Sequence, residues 1–249
     1  MLIVVRASRL SGVYVTKYTS ILKDRFVYPK MSKRFLFIRF IRYYRRKGVI
    51  NTAHRLLQKI MESFLQKPDF IYFVDLSRIK NDILPANFGV ECARSKAEVS
   101  MQDLKMLFEH IGEKILIHRM EERFGKGALL WLVKVNGTLA GHIWSIQGRT
   151  IQPHYLPLTD NDIHLFDNFI FEELRGRSVN PALVNYVLAK LKEKNMVRVF
   201  IETNVANKPE IRSLTKTGFE KFGLARKYYA WGHCFVIWSK LKTDLGISE

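Results

Sequence analysis

The chain has 249 residues, 47% of them hydrophobic, which excludes disorder throughout and allows one large domain with an appendage. The formal net charge of +18 is concentrated in residues 1–67, which hold 16 Lys and Arg against two acids, so nucleic acid and anionic membrane are candidate partners. The lack of an apolar run of about 18 residues disfavours a transmembrane helix, and the two widely separated cysteines indicate neither a disulfide framework nor a metal site.

The N-terminal third is basic and changes character along its length. Residues 1–30 show no lasting periodicity, which predicts a poorly ordered extension and makes Met31 a candidate start. Over residues 33–47, aromatic and aliphatic side chains recur at helical spacing among arginines, and residues 56–65 form a second apolar stripe. We therefore expect residues 31–86 to be a basic helical segment.

A polar connection containing Pro85 and Gly89 follows, and it predicts a boundary near Asn87, with residues 87–249 as the second domain. Helical and strand patterns alternate beyond it. The predicted strands are Phe70–Val74, Val90–Ala93, Ala128–Val135, Leu139–Ile146, Ile163–Phe171, Val197–Thr203 and two flanking Trp231-Gly232. The predicted helices of the second domain are Glu98–His110, Glu113–Phe124, Pro181–Lys194 and Pro209–Thr217. This order predicts an α/β (α+β) fold with a mixed sheet.

A strand runs through a charged loop into a helix over residues 169–183, Phe-Ile-Phe-Glu-Glu-Leu-Arg-Gly-Arg-Ser-Val-Asn-Pro-Ala-Leu. Free amides and the positive end of a helix dipole meet at such a junction, which favours an anion site. We expect Asn180 to cap the helix and Pro181 to occupy its first position. Arg175 and Arg177 add donors suited to phosphate, although an exposed basic loop is the alternative interpretation.

A second block lies downstream at a fixed distance. Gly218 and Phe219 follow Asn207 by eleven and twelve residues. With Arg175 at the start of the loop, this spacing resembles the GNAT superfamily of acyl-CoA-dependent N-acyltransferases. The resemblance covers about residues 128–219.

The resemblance implies a mixed, mostly antiparallel sheet whose central strands diverge around acyl-CoA, with acetyl-CoA as cosubstrate and no metal. It places the pantetheine along the end of a strand and the pyrophosphate on the loop amides. The implied pantetheine residues are Phe169, Ile170 and Phe171. The implied pyrophosphate residues are Arg175, Gly176, Arg177, Ser178, Val179 and Asn180, and Asn207 completes the cofactor site.

Three positions depart from the family pattern. Ser178 and Asn180 stand where the family prefers glycine or alanine, and a tight loop strains such residues. Leu214 stands where members often carry a tyrosine as general acid, four residues before Gly218. The departing thiolate is therefore expected to take its proton from another group or from solvent.

Attack by a primary amine on a thioester needs a base near the diverging strands. Asp167 lies inside an apolar strand, where burial would raise the pKa of its carboxyl, and Glu202 lies on the adjacent strand. Both are candidate bases, with a structural acid and an exposed or ion-paired residue as the respective alternatives. His142, Tyr228 and Tyr229 are further candidates, for which ordinary packing is the alternative.

The expected activity is transfer of an acyl group, acetyl first, from CoA to a primary amine. The basic N-terminal segment and the Arg-Gly-x-x-Val-x-Pro-Ala-Leu loop resemble bacterial members associated with surface-polysaccharide assembly. That favours an amino-sugar nucleotide or lipid-linked amino sugar as the small-molecule acceptor. Peptide, protein N-terminal and polyamine acceptors remain open.

The basic segment also suggests a location. We expect a cytoplasmic protein whose residues 33–67 touch the anionic inner face of a membrane, with docking of residues 56–65 on the catalytic domain as the alternative. No nucleic-acid-reading motif is recognised, so specific nucleic-acid binding is not expected. The alternative function is a catalytically impaired GNAT-like domain that binds a membrane or nucleic acid.

Overall fold

A computed structural model describes residues 3–10, 13–19, 68–79, 84–148, 158–230 and 233–241. The basic helices predicted over residues 33–67 lie outside the described residues. The chain divides into two compact units, one made of residues 1–68 and 226–238 and the other of residues 69–225 and 239–249. None of the helices in the described ranges is long and apolar enough to cross a membrane.

The first unit contains two strands that periodicity alone does not predict. Strands β1 (Ile3–Leu10) and β2 (Val13–Thr19) pair antiparallel, from Ile3 opposite Thr19 to Leu10 opposite Val13. They fall within the segment expected to be poorly ordered. Residues 1–30 lack lasting periodicity, but the β-branched and aromatic residues of Val13–Thr19 favour a strand.

The second unit holds the elements predicted to carry the chemistry. Its strands are β3 (Asp69–Asp75), β4 (Phe88–Ala93), β5 (Leu129–Val135), β6 (Thr138–Gln147), β7 (Asp162–Ile170), β8 (Arg198–Asn204) and the first part of β9 (Glu220–Ala230). Its helices are α1 (Met101–Ile111), α2 (Glu113–Gly125), α3 (Val179–Glu193) and α4 (Lys208–Leu214). The remaining strand of the described ranges is β10 (His233–Lys240).

The strand order in this unit is β9-β3-β8-β7-β6-β5-β4, and its paired strands run antiparallel except for β7 and β8. The predicted mixed, mostly antiparallel sheet is therefore confirmed. The Asn136-Gly137 hairpin is present as well, with φ of 51° and 78° at the two turn residues, as a tight turn between β5 and β6 requires.

Strand β3 enters the sheet from upstream of the expected boundary at Asn87. It lies between β8 and β9, with Tyr72 opposite Ile201 and Phe70 opposite Thr203. The compact unit accordingly begins at Asp69. Strand partners are chosen by the whole sheet, so a polar connection after a strand does not by itself mark the start of a domain.

Two hydrophobic clusters cover the two faces of this sheet. Helix α3 packs on one face because five apolar side chains recur at helical spacing, and these five are at most 1% exposed. These side chains are Leu183, Val184, Val187, Leu188 and Leu191. Helices α1 and α2 cover the other face through Leu104, Leu107, Leu116 and Met120, which pack near Trp144. The site described next lies where the sheet between these layers opens.

Candidate active site

The only parallel pair among the described strands opens into a gap. Strands β7 and β8 pair from Asp162 opposite Arg198 to Leu165 opposite Ile201, yet β7 continues to Ile170 and β8 to Asn204. The last residues of both strands therefore present backbone groups to the gap between them.

A bulge in β7 marks the start of this divergence. Asp167 has a left-handed φ of 49°, and the pairing with β6 shifts register between His142 and Trp144. Such a bulge sends neighbouring side chains to opposite faces. Asp167 turns toward α2 and Asn168 toward α4, as their bonding partners show.

The loop after β7 leads into the start of α3. Gly176 and Ser178 both have left-handed backbones, with φ of 80° and 59°. Ser178 thus adopts the conformation expected to strain a non-glycine residue. The helix begins at Val179 with Ser178 as its N-cap residue, and that serine makes no capping hydrogen bond. The prediction that Asn180 is the N-cap is wrong, because the helix starts two residues earlier than the proline signal suggested.

The two loop arginines differ in the contacts that their side chains make. Arg175 is bound to the strand it follows, since its Nε donates to the Ile170 carbonyl at 3.1 Å and its Nη1 to Glu172 at 3.0 Å. Its guanidinium also lies 5.8 Å from the centre of the Phe169 ring. Arg177 is exposed at the turn before the helix. Arg175 therefore helps to shape the loop, and Arg177 is placed to meet an anion in solvent.

Asp167 is held in an ion pair. Its carboxylate lies 2.5 Å from Arg123 Nη1 and 3.7 Å from Arg119 Nη1, both on α2. Burial acts to raise the pKa of Asp167, but the Arg123 charge and hydrogen bond, together with smaller contributions from His142 and Arg119, outweigh it, and the pKa is lowered. The expectation of a raised pKa is wrong, because the arginines arrive from an element that the strand pattern does not reveal.

Glu202 is paired as well, with a different partner. Its Oε2 lies 2.6 Å from His164 Nε2, and the side chains of Glu202 and His164 are 14% and 9% exposed. Glu202 directly follows Ile201, the last residue of β8 that pairs with β7. The pair therefore sits where the gap begins, on the face of the sheet that α2 covers. Sequence reasoning missed His164, whose only signal was its place two residues before Phe166 in an alternating strand.

A second polar group lies on the opposite face. Glu210 of α4 accepts from Asn168 Nδ2 at 2.9 Å and from Asn180 Nδ2 at 3.5 Å, and Asn180 also donates to Ser213 at 2.8 Å. These bonds connect β7, α3 and α4 across the gap. Burial raises the pKa of Glu210, and the hydrogen bonds from the two asparagines only partly oppose this. Sequence reasoning missed this cluster, since a Glu in a helical first turn ordinarily indicates only capping.

Of the remaining candidates, His142 and Leu214 are buried in the core and Asn207 caps a helix. His142 is 2% exposed, and burial lowers its pKa to about 4, so the ring is neutral near physiological pH. Asn207 caps α4, accepting from the Glu210 amide at 3.3 Å. Leu214 is fully buried in the core beside α3. The side chains of Tyr228 and Tyr229 lie outside the described residues.

Residues 98–219 match the acetyltransferase (GNAT) family. An N-alpha-acetyltransferase of Sulfurisphaera tokodaii is 28% identical over 107 residues, which make up 42% of this chain and 64% of that protein. Two solved structures resemble the fold, each with a TM-score of 0.48. One is a GNAT-family acetyltransferase from Colwellia psychrerythraea, 11% identical, covering 70% of this chain and 56% of its own. The other is a GCN5-related N-acetyltransferase from Sphaerobacter thermophilus, 12% identical, and the match covers 95% of this chain and 80% of that protein.

The matched region runs from just before α1 to the residue after Gly218, and thus contains the gap, the loop and α4. The loop arginine and the Asn207 to Phe219 spacing fall within it. Residues 98–219 of this chain therefore belong to the GNAT acetyltransferase family.

Proposed function

We propose that this protein transfers an acyl group, acetyl first, from CoA to a primary amine. The observation that carries the proposal is the gap between β7 and β8, with the Glu202–His164 pair where it begins and the loop before α3 where β7 ends. A thioester arm can enter such a gap from one face while an amine approaches from the other. Membership of the GNAT family supports the same reaction.

The cofactor site is proposed along the free edge of β7. Phe169 and Ile170 pair with β6 on one side only, and Phe171 donates its amide to the Ala140 carbonyl. The other edge of this segment offers backbone groups to the pantetheine amides, in the manner of an added strand. The pyrophosphate would bind the amides of residues 175–180 at the start of α3, with Arg177 as the exposed cation and Asn207 flanking the gap.

Glu202 is the proposed base. An amine must lose its proton to attack the thioester carbon, and a carboxylate at the start of the gap can accept that proton directly or through water. The His164 ring, 2.6 Å away, holds the carboxylate in position and provides an onward path for the proton. Asp167 as base stays an untested prediction, and its pairing with Arg123 makes it the weaker candidate.

Two acceptor classes have specific support. The Arg-Gly-x-x-Val-x-Pro-Ala-Leu loop favours an amino sugar carried on a nucleotide or lipid. The name of the Sulfurisphaera relative, an N-alpha-acetyltransferase, favours the α-amino group of a peptide or protein. Both acceptors present a primary amine, so the same base and gap serve either.

Thiol release from acetyl-CoA with a panel of amino sugars and peptides tests the proposal. Glu202→Gln should lower kcat by about 10²-fold while CoA affinity, measured by calorimetry, stays within about twofold. Glu109→Gln on the exposed side of α1 is the matched control and should behave as the wild type. Failure of the wild-type protein to bind acetyl-CoA would rule out the proposed function.

A peripheral membrane location at the cytoplasmic face is a separate proposal about residues 33–67. Its support is the basic, amphipathic pattern of that segment, in which each basic residue near an anionic surface contributes about 1 kcal/mol. Co-sedimentation with vesicles should require anionic lipid, weaken with salt, and be lost when residues 1–67 are deleted. Absence of the intact protein from the vesicle pellet at low salt would exclude it.

A further inference from the structure

Tyr72 is a buried phenol whose hydroxyl finds no acceptor among the residues that the structure describes. It lies on β3 opposite Ile201, the residue of β8 at which pairing with β7 ends. Its side chain is 1% exposed, and its Oη has no hydrogen-bond partner among the described residues. An O–H group that is buried without a partner is destabilising unless a ligand supplies an acceptor.

The phenol is influenced electrostatically by the polar cluster around Glu210. Burial, with a smaller contribution from the Glu210 carboxylate, raises the pKa of Tyr72, so the phenol keeps its proton at neutral pH. Glu210 in turn bonds Asn168 of β7 and Asn180 of α3. On the other side of β3, Lys221 of β9 lies opposite Tyr72, with its Nζ 4.6 Å from the centre of the Phe70 ring.

The two faces of the gap are chemically different. Tyr72 packs in the core with Leu183 and Leu214, on the face that α3 and α4 cover. The Glu202–His164 pair lies on the α2 face, where the His164 ring stacks 5.3 Å from Phe166. A base on one face and a proton donor on the other suit a reaction in which amine and leaving group lie on opposite sides of one carbonyl carbon.

We propose that Tyr72 donates a proton to the sulfur of CoA as the thioester breaks, and this inference rests on the proposed function. The position of the usual tyrosine acid is taken here by the aliphatic Leu214. Tyr72 lies outside residues 98–219, the region that matches the family, so the sequence match does not include it.

The step balances without any further reactant. The amine nitrogen bonds to the thioester carbon and gives its proton to Glu202. The C–S bond then breaks, its electron pair moves to sulfur, and the Tyr72 O–H proton follows to form the CoA thiol. The phenolate regains a proton from solvent, into which Glu202 releases the one it took. The products are an amide and free CoA.

Tyr72→Phe tests this with two readouts, and Tyr186→Phe, which removes a phenol beside Lys190 on α3, is the control. In the first readout, ultraviolet absorbance follows the titration of the thiol of bound CoA. A hydrogen-bond donor at sulfur stabilises the thiolate. Tyr72→Phe should therefore raise the pH midpoint of the CoA thiol titration by about half a pH unit or more relative to wild type. In the second, kcat should fall by about 10²-fold with CoA affinity unchanged.

The control should match the wild type in both readouts. Tyr72→Phe should melt no lower than wild type, since its hydroxyl loses no hydrogen bond to any described residue. An unchanged thiol midpoint and kcat in Tyr72→Phe would overturn the assignment while leaving the proposed function intact. Lower CoA affinity together with a lower melting temperature would show a packing role and also overturn it. Failure of the wild type to bind CoA would overturn the proposed function itself, and this inference with it.

Discussion

Replacing Asp167 with Asn distinguishes a structural carboxylate from a catalytic one. Removing one partner of a buried ion pair costs about 3–5 kcal/mol, because the other charge is left buried. The Asp167 side chain is 31% exposed and the Arg123 side chain 11%. Partial solvation places the expected loss at about 2 kcal/mol. Asn tolerates the left-handed φ of 49°, so the backbone contributes little to this loss.

Urea denaturation near neutral pH measures the loss, with Asp160→Asn in an exposed turn as the matched control. The ion pair lowers the pKa of Asp167 below its unfolded value despite burial. Its stabilisation is therefore fully present above the unfolded pKa and is lost as the pH falls through the folded one. The difference in free energy of unfolding between Asp167→Asn and wild type should consequently become smaller below about pH 4.

The opposite result would refute this reasoning. If Asp167→Asn unfolded at the same urea concentration as wild type while turnover fell by about 10²-fold, the carboxylate would be the catalytic base. Arg123 would then be solvated well enough to need no partner.

Three further changes test other parts of the site. Burial raises the pKa of Glu210 above its unfolded value. The stabilisation from the protonated carboxyl is therefore present below the unfolded pKa and is lost as the pH rises through the folded pKa. Glu210→Gln should raise the melting temperature at about pH 8 and not at about pH 4. A Cβ at Gly141 would clash with the Phe169 carbonyl oxygen of β7, so Gly141→Ala should lower the free energy of unfolding in urea by about 2 kcal/mol or more. A Cβ at Gly89 meets no atom within 4 Å, so the control Gly89→Ala should leave the free energy of unfolding unchanged. Arg177→Ala should weaken CoA binding, measured by calorimetry, about 10-fold. Arg175→Ala should weaken it similarly and should also lower the melting temperature, because the Arg175 side chain hydrogen-bonds the Ile170 carbonyl and stabilises the loop.

Local patterns were sufficient for most elements of the second unit. The Asn136-Gly137 turn and the apolar spacing of α3 depend on neighbours a few residues apart, so the sequence alone predicts them. The fixed distance from Asn207 to Gly218 likewise lies within one short helix and its turn. These signals predicted the family and the order of strands and helices around the gap.

The chemistry of the site depends on partners far along the chain. Asp167 meets Arg123 across 44 residues, Glu202 meets His164 across 38, and Glu210 meets Asn168 across 42. Tyr72, whose strand precedes the matched region, reaches the gap only because β3 inserts between β8 and β9. The sequence by itself therefore determined which residue types line the site. Only the tertiary structure decided their ionisation, because strand register and helix packing choose the charge that each carboxylate faces, and that charge sets its pKa.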